Sequence, residues 1–102
     1  MLLPFEAGAA DELEAAALWY EREREGYGRL LVSEVARSVA RAARLPDSGA
    51  IVAELAPERD VRRFAVRTFP YSVVTALVLG RRTVIAVAHH RRAPGYWRER
   101  LG

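Results

Sequence analysis

Apolar positions along this chain change their period near residue 50. Before it they recur at helical spacing, and after it they alternate as strands do. Gly8 to Ala10 lead into a first helix, with Asp11, Glu12 and Glu14 in its first turn, where carboxylates suit the helix dipole. Ala10, Leu13, Ala17 and Tyr20 form the stripe expected to be buried, with Trp19 widening it. Glu21 to Glu25 (ERERE) reads as a solvated end, and Gly26-Tyr27-Gly28 as the break before a second helix. That helix is predicted over about Arg29–Arg44. Its apolar face is Leu31, Val35, Val39 and Ala42, with Val32 and Ala43 alongside. Arg37, Arg41 and Arg44 line up on another face, as a water-exposed row or as a contact for nucleic acid. Leu45-Pro46-Asp47-Ser48-Gly49 stops the helix, so the two helices read as an αα-hairpin.

The remainder reads as sheet. Met1 to Phe5 is a candidate edge strand, Ala50 to Leu55 a second strand and Ala56 to Asp60 a loop. Val61 to Phe69 follows, with Arg63, Ala65 and Arg67 on one face and Arg62, Phe64, Val66 and Thr68 on the other. A bend is expected at Phe69-Pro70, then a strand over Tyr71–Leu79, a turn at Gly80-Arg81-Arg82 and a final strand beginning at Thr83. In that strand Thr83, Ile85, Val87 and His89 should point one way, and Val84, Ala86, Ala88 and His90 the other. Apolar residues on both sides suggest cover on both faces. The order of elements predicts an α+β fold: two N-terminal helices packed on a twisted, mostly antiparallel sheet of four to five strands, residues 1–102 forming a single domain. The second face of the sheet, with Arg63 and Arg67, is expected to be open and basic.

Charge sharpens this picture. Residues 1–60 hold 12 acids and 7 arginines, giving −5, while residues 61–102 hold 1 acid and 9 arginines, giving +8; the sum is the net +3. A basic C-terminal half attracts nucleic acid or an acidic protein segment. All 16 basic residues are arginine, which suits planar, bidentate contact with phosphate or carboxylate but not general-base chemistry. A GC-rich genome would also favour arginine codons. The chain has no cysteine, so disulfides and thiolate metal sites are excluded. Its longest aliphatic runs fall far short of the ~20 residues of a membrane span. With Glu6, Asp11 and Glu12 early and no basic flank, the start does not read as a signal peptide. The expected location is the bacterial cytoplasm.

Four stretches carry a resemblance to a known family: ADELEAAALWYE, GYGRLLVSEV, RRFAVRTFPYSV and AVAHHRRAPGYWRER. Together they resemble the RelE/ParE superfamily, the toxin halves of bacterial type II toxin–antitoxin pairs, over nearly the whole chain. The resemblance implies no cofactor and no metal. It implies a cognate, ParD-like antitoxin whose C-terminal segment wraps the toxin in a hetero-oligomer. The ParE-like branch poisons DNA gyrase, a protein target. The RelE-like branch cleaves messenger RNA on the ribosome as a metal-independent endoribonuclease. That chemistry needs a proton acceptor for the 2′-hydroxyl, cations on the pentavalent phosphate and an acid for the leaving oxygen. By position Arg63 and Arg67 match the family's strand cations, Arg91 or Arg92 the arginine after the last strand, and Tyr96 or Trp97 its C-terminal aromatic. The absence of lysine and the packing residues at the end of the chain favour the ParE-like branch. An inactive member retaining only antitoxin binding is the third alternative.

Under the nuclease reading the candidate catalytic residues are Arg63, Arg67, His89, Arg91, Arg92 and Tyr96, and only the histidines and Tyr96 can exchange a proton. Candidates for binding target or antitoxin are Trp19, Arg63, Arg67, Tyr71, Arg92, Tyr96 and Trp97. His89 and His90, adjacent on a strand, should face opposite sides and form neither a dyad nor a metal site. Each residue also has a plainer reading. His89 can hydrogen-bond within the sheet, Tyr71 can pack beside Pro70, and Tyr96 and Trp97 can fold back over the core. Arg62 or Arg63 can pair with the acidic helices. An antitoxin should find an apolar patch exposed beside the arginines.

Overall fold

The computed structural model describes residues 3–52 and 57–102. Two helices, α1 (Ala7–Glu23) and α2 (Tyr27–Arg44), precede an antiparallel sheet. Its strands are β1 (Ala50–Ile51), β2 (Arg62–Ala65), β3 (Tyr71–Val78) and β4 (Arg81–His89), in spatial order β1-β2-β3-β4. A single 3₁₀ turn, Arg98–Leu101, closes the chain. This is the α+β arrangement expected, with the αα-hairpin against one face of the sheet.

The helices start and stop for identifiable reasons. The Glu6 carboxylate caps α1, accepting the N–H of Gly8 at 2.6 Å and of Ala9 at 3.4 Å. The acids at 11, 12 and 14 therefore lie beyond the first turn, because the helix begins earlier than expected. Glu21, inside the supposedly solvated ERERE run, accepts the N–H groups of Gly26 (2.9 Å) and Gly28 (3.0 Å) and so caps α2. Those backbone bonds, Gly26 first, hold its carboxyl below its ordinary range. Gly26, at φ 88°, makes the left-handed entry to α2 that favours glycine.

Leu31, Val35, Val39 and Ala42 are buried as expected. On α1 the buried positions are Ala9 and Ala16, with Leu13, Ala17 and Tyr20 partly covered. Trp19 does not widen the stripe; it is 49% exposed and meets Tyr20 edge-on. Phe64, Val73 and Val87 stand in register across β2, β3 and β4 and join the helix-side core.

β2 is shorter than its alternation suggested, while β4 begins at Arg81, inside the expected turn. β2 ends at Ala65, and Thr68 takes φ 76°, turning the chain before Pro70. Among the described residues the expected N-terminal strand shows one parallel bridge, Phe5 to Val84. Met1, Leu2 and residues 53–55 of the expected strands lie outside the described residues. The weak alternation near Ile85 has a cause. Val74 pairs with Ala86 but Thr75 pairs with Val84, so Ile85 is the extra residue of a β-bulge. As a result Val84 and Val87 join the helix-side core, while Ile85 and Ala86 both join a second core on the far face.

That far face is not open, contrary to expectation. Trp97 and Leu101 fold across it onto Val61, Val74, Ile85 and Ala86. The aromatic-rich ending is too apolar to stay in water when a sheet face lies within reach. Nor do the C-terminal arginines share one surface. Arg62 pairs with Asp60 (3.0 Å) and Asp47 (3.7 Å), Arg82 with Asp60 (2.5 Å), and Arg100 with Glu12 (2.9 Å). Arg62 thus serves a local loop rather than the acidic helices.

Two predictions arise here. The Arg82 hydrogen bond, then Arg62, holds the Asp60 carboxyl below its usual range. A depressed folded-state pKa contributes stability that is present above the unfolded value of about 3.9 and lost as pH falls through the folded one. Urea midpoints should therefore drop on acidification below about pH 4, and Asp60→Asn should flatten that limb. Separately, the β3–β4 hairpin turns through Leu79 (φ 52°) and Gly80 (φ 75°), the signs of a type I′ turn, with Leu79 fully exposed. Leu79→Asn should stabilise by about 0.5–1 kcal/mol, read as a rise in urea midpoint at unchanged slope.

Candidate functional site

Beyond His89 the chain crosses the C-terminal end of the sheet and builds two hollows that share His89, Arg92 and Tyr96. The first, about 130 Å³, lies on the far face and is walled by Arg63, Ser72, His90, the Pro94-Gly95 turn and Trp97. The second, about 260 Å³, lies toward α1 and is walled by Glu12, Trp19, Tyr71 and Val87. Gly95, at φ 77°, allows the reversal that brings Tyr96 back toward β4.

The two histidine rings find different partners, Tyr71 and Ser72, yet both residues line the first hollow, which their expected separation to opposite faces did not provide for. His89 packs edge-on against Tyr71, with ring centroids 4.9 Å apart. Its Nδ1 accepts the Arg91 N–H at 3.0 Å, so in the neutral ring the proton is on Nε2. His90 places Nε2 3.1 Å from Ser72 Oγ. Arg92 lays its guanidinium 3.8 Å from the Tyr96 ring centre, a cation–π contact that keeps the arginine between the two hollows.

Tyr96 is tied down at its other end. Its hydroxyl donates to Glu12 Oε2 at 2.6 Å. Burial, then the Glu12 carboxylate, pushes the phenol well above its ordinary value, so it stays protonated. Burial likewise raises Tyr71. Glu12 also accepts two bonds from Arg100, at 2.9 and 3.1 Å, and the backbone N–H of Val87 at 3.0 Å. The same arginine donates to the Ile85 carbonyl, at the bulge, at 3.0 Å. Glu12 therefore joins α1, β4 and the C-terminal turn at one carboxylate. Sequence reasoning missed it by treating it as a dipole residue. The only available signal was one acid on the α1 face that also carries Ala9 and Ala16.

The structure thus brings together Arg63, His89, Arg92, Tyr96 and Trp97, with Tyr71 and Trp19 at the edge toward α1. It does not bring in Arg67, which lies past the end of β2 in a different groove beside α2. Nor does Arg91 line either hollow; its backbone serves His89 instead. Arg63, Arg92 and His90 can receive a phosphate or carboxylate. Proton exchange falls to the histidines, since Tyr96 acts as a neutral donor. Among the described residues no three carboxylate or imidazole groups converge as metal ligands would.

A separate apolar groove of about 480 Å³ runs along the outer side of the helical hairpin, floored by Phe5, Leu13 and Ala17 and edged by Leu18 and Val32. Leu18 is 57% and Val32 43% exposed. Among the described residues no helix is long and apolar enough to cross a membrane. No family model, no curated protein and no solved structure matches this chain.

Proposed function

We propose that the chain is the toxin component of a type II toxin–antitoxin pair of the RelE/ParE kind, acting in the cytoplasm by binding a protein target such as DNA gyrase. One observation carries the choice of a binding toxin over a nuclease. The aromatic ending that would supply nuclease chemistry is committed to packing, with the Tyr96 hydroxyl on Glu12 and Trp97 in the far-face core. The RelE/ParE resemblance of the sequence and the order of two helices before an antiparallel sheet support the class. The hairpin groove at Leu18 and Val32 suits an amphipathic antitoxin helix, whose apolar anchors would cover it.

The nuclease reading keeps one observation in its favour: Arg63, Arg92 and His90 line one hollow that a phosphodiester could enter. Induced expression, with and without the neighbouring gene, tests both. A gyrase-directed toxin gives DNA damage signalling and filamentation, relieved by co-expression of the antitoxin. Transcripts cut within codons, with cutting lost in Arg92→Ala, would replace this reading by the nuclease one. A harmless chain that still co-purifies with its neighbour would be an inactive member retaining antitoxin binding.

A further inference from the structure

A third groove, of about 310 Å³, lies between α2 and the end of β2. It is lined by Arg37, Arg41 and Arg44 from α2 and by Arg67 from the segment after β2. The spacing puts Arg37, Arg41 and Arg44 one above the other on the helix, at i, i+4 and i+7. Thr68, at φ 76°, turns the chain just after Arg67. Ser38 fixes the helix to the sheet there, its hydroxyl donating to the Ala65 carbonyl at 3.0 Å. The Arg41 guanidinium stands 5.8 Å from the centre of the buried Phe64 ring, which restricts its stem.

These arginines differ from three of those in the sheet half. Arg62, Arg82 and Arg100 are each held by a carboxylate. Among the described residues none of the four groove arginines has an ion-pair partner. Four like charges side by side repel one another, and a fold keeps them cheaply only where water or an anion receives them. One carboxylate, Glu34, lies at the N-terminal end of the row, with Oε1 buried and unpartnered among the described residues. The groove therefore carries four positive charges and one negative.

We infer that this groove holds the phosphodiester backbone of a nucleic acid, without reading its bases. The inference is independent of the toxin reading above and concerns a different part of the surface from the Arg92 hollows. Arginine lining is what phosphate contacts use. A protein partner would need apolar or aromatic anchors, and here the apolar lining is only Ala40 and Ala65. No aromatic residue lines the groove for bases to stack on, so the contacts stop at the backbone.

The test is fluorescence anisotropy of the full chain with a labelled oligothymidylate and with a mixed-sequence DNA duplex, between about 50 and about 200 mM salt. DNA lacks the 2′-hydroxyl, so cleavage does not interfere. Four neutralised phosphates give a slope of log K against log salt near about −3.6 for the duplex and about −2.8 for the single strand. The double variant Arg37→Gln/Arg41→Gln should lose about 1.8 from the duplex slope and about 1.4 from the single-strand slope, and bind at least about tenfold more weakly, irrespective of sequence. Arg98→Gln, exposed and outside the groove, should bind as the unaltered chain, and Glu34→Gln should bind more tightly. Circular dichroism confirms that each variant is folded. The inference is overturned by an absence of binding at low salt, by equal losses in Arg98→Gln, or by tighter binding of polyglutamate than of either DNA. Binding lost in Arg92→Gln but kept in the double variant also overturns it, by placing the contact in the other hollows.

Discussion

Glu12→Ala should lower the stability of the folded chain by about 3–5 kcal/mol, the range found when one partner of a mostly buried ion pair is removed. Four hydrogen bonds end on this carboxylate: two from Arg100, one from the Tyr96 hydroxyl and one from the Val87 N–H. Side-chain exposures of 16% for Glu12 and 22% for Arg100 make the pair only partly wet. Alanine leaves the Val87 N–H and the Tyr96 hydroxyl without partners, and the Arg100 guanidinium with only the Ile85 carbonyl and Glu6 at 3.8 Å, where water reaches poorly. A domain of this size has about 5–15 kcal/mol in total, so the variant should sit close to unfolding at growth temperature. Urea titration reads the effect as a lower midpoint at unchanged slope. Glu12→Gln keeps an acceptor but not the charge, and should fall between the two. A loss below about 1 kcal/mol would mean that water replaces the carboxylate freely, as at an exposed ion pair.

Trp97→Ala is expected to cost a similar amount, about 3–5 kcal/mol, by opening a cavity in the far-face core. Trp97 is 5% exposed and packs with Val61, Val74, Ile85 and Leu101. The measurement is the urea midpoint, followed by circular dichroism. Since Glu12 and Trp97 hold the same terminal segment, their effects should not add. The double variant should lose less than the sum, because the first substitution already frees the segment. Additive losses would show the two attachments to be independent.

Much of the fold was legible because helical and strand periods differ. The α2 face, the hairpin of β3 and β4 and the α+β order all follow from that period. Three features were not. The bulge at Ile85 shifts the alternation by one residue, and a period-two reading has no means of placing an extra residue. The early end of β2 separates Arg63 from Arg67, which a continuous strand had put on one face. The docking of Leu101 beside Trp97 depends on where the chain goes after Gly95, which no local pattern states, although the fold-back of Trp97 over the core was one reading of the sequence.

The candidate site was legible in part. His89, Arg92 and Tyr96 meet as their closeness in sequence suggested, and Arg63 joins them from β2. Glu12 and Glu21 were invisible because an acid on a helix surface looks alike whether it faces water, a neighbouring strand or the next helix's first turn. Only tertiary packing distinguishes them.

The outer margin of β4 has a further consequence for handling this protein. Its main-chain groups are occupied by the Pro4–Glu6 segment at Val84 and, farther along, by the side chains of Arg100 and Glu12. Side chains thus stand in for a neighbouring strand, and a single substitution removes them. A chain altered at residue 12 would offer a vacant Val87 N–H, and one altered at residue 100 a vacant Ile85 carbonyl, on an apolar margin where other copies can align. Soluble yield and freedom from fibres should accordingly follow residues 12 and 100 more closely than the size of either core.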